Sequence, residues 1–464
     1  MIEARLAEIV GAANLEVGDA VSAEVEHDEA LGVEWIRPRA VVRPGSTAEV
    51  AAVVAAAREW GVPLTARGAG TGLSGACVPC EGGVVVSFER MDRILEIDEA
   101  NHVAVVEPGV TLAALETALQ GTDLIYPVFP GEQQASVGGN VSTNAGGMRA
   151  VKYGVTRHHV LGLEIVLGTG EALSTGGKFV KSTSGYDLTQ LVIGSEGTLA
   201  LVTRATLRLH PRAPYRTTLL APFASIAEIT DSVPPILTTG IGPLMVEYLD
   251  LLTMAALVDQ TGLELGISDL VQKQALAYLL VTLEDHHLDR LTEDAESLSI
   301  LLSDRGALDV YVLPEHAGAQ LIASRERVFL VSKAAGADEL IDVVVPRAAL
   351  PAYLEAVAEV ARSTGSFIPG CGHAGDGNVH LAVFQAEPAV RAAVMRELLA
   401  AGLALGGALS GEHGIGIAKR EHLAALEDPA RLALMRRIKE AFDPDGILNP
   451  GTIFDVEAGR KVHS

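Results

Sequence analysis

Two short stretches concentrate side chains that could bind a metal ion or accept a proton. GCGHAGDGNVH places His373 and His380 on either side of the turn-forming run AGDGNV, and SGEHGIG places Glu412 and His413 side by side in a glycine-bounded loop. Two imidazoles and one carboxylate suit Zn²⁺, Fe²⁺ or Mn²⁺ and leave coordination positions open. On the residues alone, His373 and His380 could equally be turn or core residues. Glu412 and His413 could likewise be an ordinary pair of surface residues.

A glycine-rich loop, RGAGTGLSG, is a second candidate site. Gly70, Gly72 and Gly75 satisfy the pattern G-x-G-x-x-G, but in a nicotinamide dinucleotide site the third glycine opens a helix. Here Pro79 and further glycines prevent a helix, and the strand-like run GGVVVSFE follows. The sequence therefore predicts a strand–loop–strand unit. Its backbone N–H groups could hold a pyrophosphate with Arg67 as a cation, and an ordinary glycine turn is the alternative.

A third stretch, PGEQQASVGGNVSTNAGGMRAVKYG, is rich in glycine, small residues and amides and has few core-forming side chains. Backbone that must approach a flat ligand closely needs such a composition. A flexible surface loop would share it, so the composition alone leaves both interpretations open.

The elements that must position these stretches form two α+β units. Ser46 and Glu49 predict a helix over 46–61, and EIVLG, LVIG and TRATLRL are typical of strands. Composition changes near Pro211. Beyond it, the strand candidates LMVEYLD, YLLVTLE, LDVYVL and LIDVVVP alternate with amphipathic helices. The last forty or so residues are too few for a domain, and we expect them to pack back onto one of the two units.

Composition limits the class of protein. The chain has 464 residues, 48% hydrophobic and 20% charged, as expected of a soluble globular protein. Its net charge of −24 repels phosphate backbones, so nucleic acid is not an expected partner. No apolar run approaches the ~18 residues that span a bilayer, and the acidic start MIEARLAEIV is unlike a signal peptide. A cytoplasmic location is therefore expected, with any membrane association peripheral and through a partner.

Six stretches, in order, resemble the FAD-linked oxidases of the vanillyl-alcohol-oxidase type: RGAGTGLSGACVP, PGEQQASVGGNVSTNAGG, GYDLTQLVIGSEGTLALVTRATLRLHP, GCGHAGDGNVH, SGEHGIGIAKR and FDPDGILNPG. Within that family the chain is most similar to the group of D-lactate dehydrogenases and glycolate oxidase flavoprotein chains, and to the D-2-hydroxyglutarate dehydrogenases. The resemblance implies an α+β fold. A two-subdomain FAD-binding domain would span 1–212, an α+β substrate (cap) domain 213–424, and a C-terminal segment returning to the FAD domain 425–464.

The resemblance also assigns residues to the cofactor. FAD would be held by Arg67, Gly68, Ala69, Gly70, Thr71, Gly72, Leu73, Pro130, Gly131, Ser136, Gly138, Asn140, Asn144, Ala145, Gly147, Glu196, Gly197, Val202 and Asn449. Asn378 is expected near the flavin or the substrate. Relatives with covalent flavin often carry a histidine in the pyrophosphate loop, and none lies in 64–76, so noncovalent FAD is expected.

The implied reaction is oxidation of a small 2-hydroxy acid, D-lactate or glycolate above all, with the hydride passing to flavin N5. His373, His380 and Glu412 would bind a divalent metal that orients the substrate, with Zn²⁺ preferred over Fe²⁺ or Mn²⁺. His413 would be the general base, and Arg325 would bind the substrate carboxylate.

Two departures from the hydroxyglutarate-type pattern bear on the substrate, because Phe329 and Leu340 replace a threonine and a lysine. They argue against a dicarboxylate. The alternatives are a flavoprotein subunit that is inactive alone, a D-2-hydroxyglutarate dehydrogenase and a flavin-free metallohydrolase. The electron acceptor would be a quinone, an electron-transfer protein or an iron–sulfur partner subunit, since three cysteines are too few for a cluster. A homodimer is compatible with the resemblance.

Overall fold

The computed structural model describes residues 2–263 and 265–455. In the N-terminal half, up to residue 212, the strands are β1 (Leu15–Val17), β2 (Ala40–Val42), β3 (Leu64–Arg67), β4 (Val84–Ser87), β5 (Ile94–Asp98), β6 (Val103–Val106), β7 (Leu124–Ile125), β8 (Val160–Leu167), β9 (Ala172–Gly176), β10 (Ala200–Arg208) and β11 (His210–Pro211). The helices there are α1 (Ile2–Val10), α2 (Thr47–Trp60), α3 (Leu112–Leu119), α4 (Val137–Thr143), α5 (Ala150–Tyr153) and α6 (Leu188–Val192).

The N-terminal half contains two larger sheets with separate cores, and β7 and β11 form a further two-stranded sheet. One has the order β1-β2-β4-β3, in which β4 runs parallel to both β2 and β3, and the other is the antiparallel sheet β5-β6-β10-β8-β9. Ser46 caps α2 and Gly61 ends it in the left-handed conformation, which confirms the predicted helix. No helix interrupts the glycine loop between β3 and β4, so the predicted strand–loop–strand unit is confirmed as well.

One predicted strand of this half is wrong. The run LVIG belongs to α6 and the turn that follows it. Asp187 accepts a hydrogen bond from the Gln190 backbone N–H and caps the helix. A short apolar run has no periodicity that separates strand from helix, and here the capping residue decides.

The C-terminal half has its own sheet. Its strands are β12 (Tyr215–Phe223), β13 (Met245–Asp250), β14 (Ala277–Asp285), β15 (Tyr311–Leu313), β16 (Glu339–Val344), β17 (Gly370–His373) and β18 (Asn378–Val383). Its helices are α7 (Ile226–Thr238), α8 (Leu251–Thr261), α9 (Asp269–Gln274), α10 (Leu288–Asp304), α11 (Glu315–Glu326), α12 (Val328–Ala334), α13 (Leu350–Thr364), α14 (Pro388–Ala404), α15 (Arg420–Leu426) and α16 (Pro429–Phe442).

These seven strands form one antiparallel sheet in the order β15-β12-β14-β13-β17-β18-β16, which includes all four strands predicted from the sequence. On one face, α7, α10, α13 and α14 cover a large apolar core. On the other, α8 and α11 pack in a core that also contains Met148 of the N-terminal half. The second face therefore lies against the flavin-related segments predicted above.

The segment after α16 returns to the N-terminal half. The Leu64 N–H donates to the Ile447 carbonyl and the Asn449 N–H to the Leu64 carbonyl, both at 2.7 Å, which adds a bridge alongside β3. Ile447 and Leu448 are buried in the core of that half. The end of the predicted C-terminal segment, 456–464, lies outside the described residues. Across the described part of the chain, no helix has both the length and the apolar character needed to cross a bilayer.

Candidate active site

His373 and His380 lie on the two strands of one hairpin, β17–β18. In its register His373 pairs with Asn378, so the two histidines are diagonal neighbours on the same face of the sheet. Their ring centroids are 4.8 Å apart. The turn needs Gly377, which has a φ of +86° and whose Cβ would lie 2.1 Å from the Val345 carbonyl oxygen. The tight turn thus holds both imidazoles in one place.

Each histidine faces a buried carboxylate on a neighbouring strand. His373 Nδ1 donates to the Glu247 carboxylate of β13 at 2.7 Å. His380 pairs across the sheet with Asp342 of β16, and its Nδ1 lies 3.9 Å from Asp342 Oδ1. Both carboxylates are completely buried. Because each Nδ1 faces a carboxylate, each Nε2 is left to bind another group.

Glu412 is that other group. Its Oε1 lies 3.3 Å from Nε2 of both His373 and His380. Ligand atoms about 2 Å from one ion lie roughly 3 to 3.5 Å apart, so these distances match a single metal site. The three residues therefore form a set with the donors and the spacing for one divalent ion.

Buried charges around this set favour a cation. Burial alone lowers the pKa of His373, but Glu247 and Glu412 raise it well above its usual range. Burial raises the pKa of Glu412, yet the histidines beside it bring that pKa down to about 2. Burial and the charge of His373 hold the pKa of His380 well below its usual range. A cation between the three residues would replace the proton that His373 otherwise keeps.

A second set, Asp342, His380 and His413, is also close enough to hold an ion. The oxygens of Asp342, however, accept hydrogen bonds of 2.7 to 3.0 Å from Ser410 Oγ, Asn378 Nδ2 and the N–H groups of Gly411, Glu412 and His413. A carboxylate with five such donors has little capacity left for a metal. Asp342 instead fixes the SGEHGIG loop to β16.

The SGEHGIG loop is also held from the N-terminal half. Glu196 is buried, and its carboxylate accepts the N–H groups of Ile415 at 2.8 Å and Gly416 at 2.7 Å. Burial raises the pKa of Glu196 to about 7 in spite of these donors. Ser74 Oγ donates to the His413 carbonyl at 2.8 Å. Both halves of the molecule therefore determine where this loop lies.

His413 lies beside the three candidate metal ligands without belonging to that set. Its ring stacks on His380 with centroids 5.2 Å apart and an interplanar angle of 24°. Its Nδ1 is 4.0 Å from Asp342 Oδ2. Burial lowers the pKa of His413, so the imidazole is neutral and can accept a proton near pH 7.

These side chains line one cavity, which we call the histidine-lined cavity. Its wall brings together residues of both halves: Leu73, Phe129, Pro130, Gly131, Gly147, Arg325, Phe329, Leu340, His373, His380, Glu412 and His413. The predicted metal ligands, base and carboxylate-binding arginine thus face the same space as part of the predicted flavin-binding segment.

Arg325 is buried near the end of α11. Its Nη2 lies 3.0 Å from Glu247 Oε2, but its Nε has no hydrogen-bond partner among the described residues. Buried polar groups are normally paired, so an orphaned guanidinium donor on a cavity wall indicates a ligand that supplies the acceptor.

A second cavity, the glycine-lined cavity, lies among β3, α4 and β10. Its wall includes the predicted cofactor residues Gly68, Gly138, Glu196, Gly197 and Val202. A Cβ on Gly68 would lie 2.1 Å from Ser136 Oγ, and one on Gly138 would lie 2.6 Å from Pro108 Cβ. Glycine is required because the chain segments approach each other so closely.

Most of the other predicted cofactor residues lie in the glycine loop 67–73 or in the stretch 130–147. Ala69, Gly70, Thr71 and Gly72 complete the loop between Gly68 and Leu73. Ser136 caps α4 by accepting the Gly139 N–H, and Asn144 ends it in the left-handed conformation. The Ala145 carbonyl accepts the Thr156 hydroxyl at 2.7 Å. Asn140, within α4, is buried, and its Nδ2 has no hydrogen-bond partner among the described residues.

Three predicted site residues have their polar groups engaged by the protein itself. Arg67 donates to the carbonyls of Glu24 and His27, both at 2.7 Å, so it braces the N-terminal segment where a pyrophosphate cation was expected. Asn378 Nδ2 donates to Asp342 and to a backbone carbonyl, and this residue does not line the histidine-lined cavity. Asn449 Nδ2 donates to the Glu196 carbonyl at 2.7 Å. Asn378 and Asn449 are buried, so their amide groups need such partners.

Glu247 and Asp342, which orient the histidines and the SGEHGIG loop, were not among the site residues predicted from the sequence. A signal was present, because each is an acidic residue flanked by apolar residues on both sides, Glu247 in LMVEYLD and Asp342 in LIDVVVP. A carboxylate at such a position is rarely buried without a partner. The segment alone does not say which partner it has.

Comparisons with known proteins identify the family to which the chain belongs. A family model described as the FAD binding domain matches residues 38–176, and one described as FAD linked oxidases, C-terminal domain, matches residues 212–453. An uncharacterized FAD-linked oxidoreductase of Mycobacterium tuberculosis is 52% identical, covering 97% of this chain and 98% of the relative. A D-lactate dehydrogenase of Anaerostipes hadrus is 36% identical, covering 94% of each. A glycolate oxidase subunit of Bacillus subtilis is 36% identical, covering 92% and 91%.

Solved structures give the same fold. p-Cresol methylhydroxylase superposes with a TM-score of 0.81 at 18% identity, and 4-ethylphenol oxidase from Gulosibacter chungangensis with 0.79 at 22%. Each comparison covers 98% of this chain and 97% of the other. The chain belongs to the FAD-linked oxidases, with the fold of the vanillyl-alcohol-oxidase type and FAD as its cofactor. It is an oxidoreductase.

Proposed function

We propose that the protein oxidises a small 2-hydroxy monocarboxylic acid, with D-lactate and glycolate as leading candidates, to the 2-oxo acid. The observation that carries this proposal is the histidine-lined cavity, in which a metal-binding set, a neutral histidine and an orphaned arginine donor face residues of the flavin-related segments. The D-lactate dehydrogenase and glycolate oxidase relatives support the same substrate class.

The two cavities fit FAD. The glycine-lined cavity offers close backbone approach, and Leu73, Pro130, Gly131 and Gly147 line the cavity that contains the histidines. Asn140, on α4, adds a buried amide nitrogen without a partner among the described residues. With no histidine in 64–76, noncovalent binding is proposed. FAD, when bound, would accept the hydride from the substrate α-carbon.

His373, His380 and Glu412 would hold a divalent ion, Zn²⁺ in preference to Fe²⁺ or Mn²⁺. The ion would polarise the substrate hydroxyl. His413 would take the hydroxyl proton, because it is neutral, lines the same cavity and is stacked in place on His380. Arg325 would bind the substrate carboxylate through its unpaired Nε.

The cavity wall supports a monocarboxylate. Phe329 and Leu340 line it together with the apolar residues Val328, Ile341 and Ala382. A second carboxylate placed there would lose its hydration without gaining a cation, which is costly. The D-2-hydroxyglutarate dehydrogenase of Stutzerimonas stutzeri is 32% identical, so this dicarboxylate is kept as a test substrate.

The electron acceptor belongs to the same proposal. The glycolate oxidase subunit among the relatives supports an alternative in which this chain needs a partner subunit for turnover. That partner, or a quinone or electron-transfer protein, would reoxidise the flavin. A flavin-free metallohydrolase is not favoured by an FAD-binding family.

The experiment is anaerobic mixing of the purified flavoprotein with D-lactate, L-lactate, glycolate or D-2-hydroxyglutarate. We expect one of the monocarboxylates to bleach the flavin, because reduction by substrate needs no electron acceptor. His413→Asn should slow bleaching by ~10²- to 10⁴-fold with flavin retained. His422→Asn, on α15, is the matched control and should bleach at the native rate. Absence of bleaching by every acid would contradict the proposal.

A further inference from the structure

A third cavity lies at the junction of the two halves, and we call it the arginine-lined cavity. It is bounded by α3, the segment 125–133, the start of β12 and α11, with Arg149, Arg212 and Arg216 on its wall. None of the metal, base or substrate residues proposed above lines it. It meets the histidine-lined cavity at Phe129, which lines both.

Arg149 is the unusual group in this cavity. Its guanidinium lies over the Phe129 ring, 4.3 Å from the centroid. Among the residues that the structure describes, no carboxylate lies within ion-pair distance of it, and its buried Nε has no hydrogen-bond partner. A largely buried cation without a counterion is costly, and a bound anion would remove that cost. Burial lowers the pKa of Arg149 to about 10, so it remains charged near pH 7.

The other charges around the cavity compensate one another. Glu284 is buried and is met by the Tyr153 hydroxyl at 2.7 Å, Lys152 at 3.2 Å and Arg216 at 3.2 Å. The remaining charged residues are exposed ones of both signs: Arg212, Glu116 and Glu315. Arg149 is therefore the positive charge without a direct partner, since Glu116, Glu284 and Glu326 act on it only from beyond ion-pair distance.

The remaining wall indicates what kind of anion would fit. Leu112, Leu119, Ile125, Val128 and Ile322 give the cavity an apolar side. A single unmatched guanidinium fits a monoanion, and its planar donors suit a carboxylate. The carboxylates of Glu116 and Glu315 on the same wall oppose a dianion such as phosphate.

We propose that the arginine-lined cavity is a second ligand site, which binds a small organic monocarboxylate with its carboxylate on Arg149 and its apolar body against α3 and Ile322. This site does not depend on the function proposed above. Because the Phe129 ring separates the two cavities, occupancy should also perturb the absorbance of the bound flavin.

The test is calorimetric titration of octanoate into the oxidised holoenzyme in the absence of any hydroxy acid, so that failure of catalysis leaves the result interpretable. We expect one site whose affinity falls by roughly 10- to 100-fold in Arg149→Gln. Arg325→Gln should bind octanoate as the native protein does. Arg436→Gln is the matched control, because Arg436 also lies over a ring, that of Phe454 at 5.2 Å.

Opposite results would overturn the proposal. If Arg325→Gln loses octanoate and Arg149→Gln keeps it, the ligand occupies the histidine-lined cavity. Absence of binding to the native protein, or binding of inorganic phosphate in place of octanoate, would also reject it. If Arg149→Gln does not fold, Ile322→Trp is the second variant, because the larger side chain fills the cavity. It must abolish octanoate binding. If the native flavoprotein is bleached by a hydroxy acid, Ile322→Trp must be bleached as well.

Discussion

At the residue scale, the active site depends on carboxylates that lie behind the groups facing the cavity. Glu247 is completely buried and contacts both His373 and Arg325. It therefore connects the proposed metal ligand to the proposed substrate anchor. A second carboxylate, Asp342, has the same position behind His380 and the SGEHGIG loop.

Glu247→Gln should weaken metal binding by about 10- to 100-fold, because an amide cannot hold the His373 Nδ1–H as strongly and leaves Nε2 a poorer ligand. Chelator competition followed by metal analysis measures this effect. Glu107→Gln is the control, since Glu107 is likewise buried and paired, with Arg93 at 2.7 Å, but does not line the histidine-lined cavity. Equal metal affinity in the two variants would refute a role for Glu247.

Phe329→Thr combined with Leu340→Lys should shift the substrate preference towards D-2-hydroxyglutarate. The change gives the apolar wall a hydroxyl and a cation with which a second carboxylate can pair. The measurement is the ratio of the bleaching rate with D-2-hydroxyglutarate to that with D-lactate, compared between the native protein and the double variant. A ratio that does not move would show that these two positions do not select the substrate.

Single residues were predictable where a local pattern carries the information. His373, His380 and Glu412 could be grouped because their motifs resemble those of a family, and the structure brings their ligand atoms together. Glu247 could not be predicted as part of this group. Its contact with His373 spans 126 positions and exists only because β13 and β17 are adjacent strands. Strand order is a property of the whole sheet and is not encoded by either segment alone.

At the scale of elements, the SGEHGIG loop is an irregular segment whose geometry is set by its neighbours. Residues 410–416 contain no helix or strand. Five of their backbone N–H groups instead donate to Asp342 or Glu196, so these two carboxylates hold in place the loop that carries Glu412 and His413.

Asp342→Asn should loosen this loop, because the amide replaces an acceptor oxygen with a donor that faces other N–H groups. We expect the free energy of unfolding to fall by about 1.5 to 3 kcal/mol and bleaching to slow. Denaturant unfolding and stopped-flow reduction measure the two effects. Asp338→Asn, just before β16, replaces a half-exposed carboxylate that accepts the Gln385 N–H and should change neither by much. Native behaviour of Asp342→Asn would contradict this interpretation.

Elements with strong local signals were predicted well, and those without were not. The helix over 46–61 has a cap and a terminating glycine, and the apolar strands of the C-terminal half have length and β-branched residues. LVIG is too short to show a periodicity; its first two residues end α6 and its last two form a turn. Within the glycine-rich stretch, α4 forms because Ser136 caps it, which composition alone did not reveal.

At the scale of the whole molecule, the segment after α16 packs against the N-terminal half. Leu448 is completely buried in the core of the N-terminal half, beside Leu64 of β3. The return of this segment could be expected from the family resemblance and from its small size. Its register on β3 could not, because a pairing across almost four hundred positions is decided by tertiary packing.

Leu448→Ala should lower the free energy of unfolding by about 2 to 5 kcal/mol, the range for removing a buried leucine side chain. Thermal and denaturant unfolding of the flavin-loaded protein measure it. Leu434→Ala, on α16, is the control, because Leu434 is 49% exposed and its truncation should cost about 0.5 kcal/mol or less. Similar losses in both variants would mean that the returning segment adds little stability.

Attachment of the SGEHGIG loop to Glu196 on one side and Asp342 on the other has a consequence for biosynthesis. A ribosome that has finished the N-terminal half has made most of the residues proposed to bind FAD but not the proposed proton acceptor. FAD that binds early would have no proton acceptor beside it until residues 410–416 are synthesised and pack against the N-terminal half. A polypeptide that stops before residue 410 would therefore lack the proton acceptor that the proposed reaction needs.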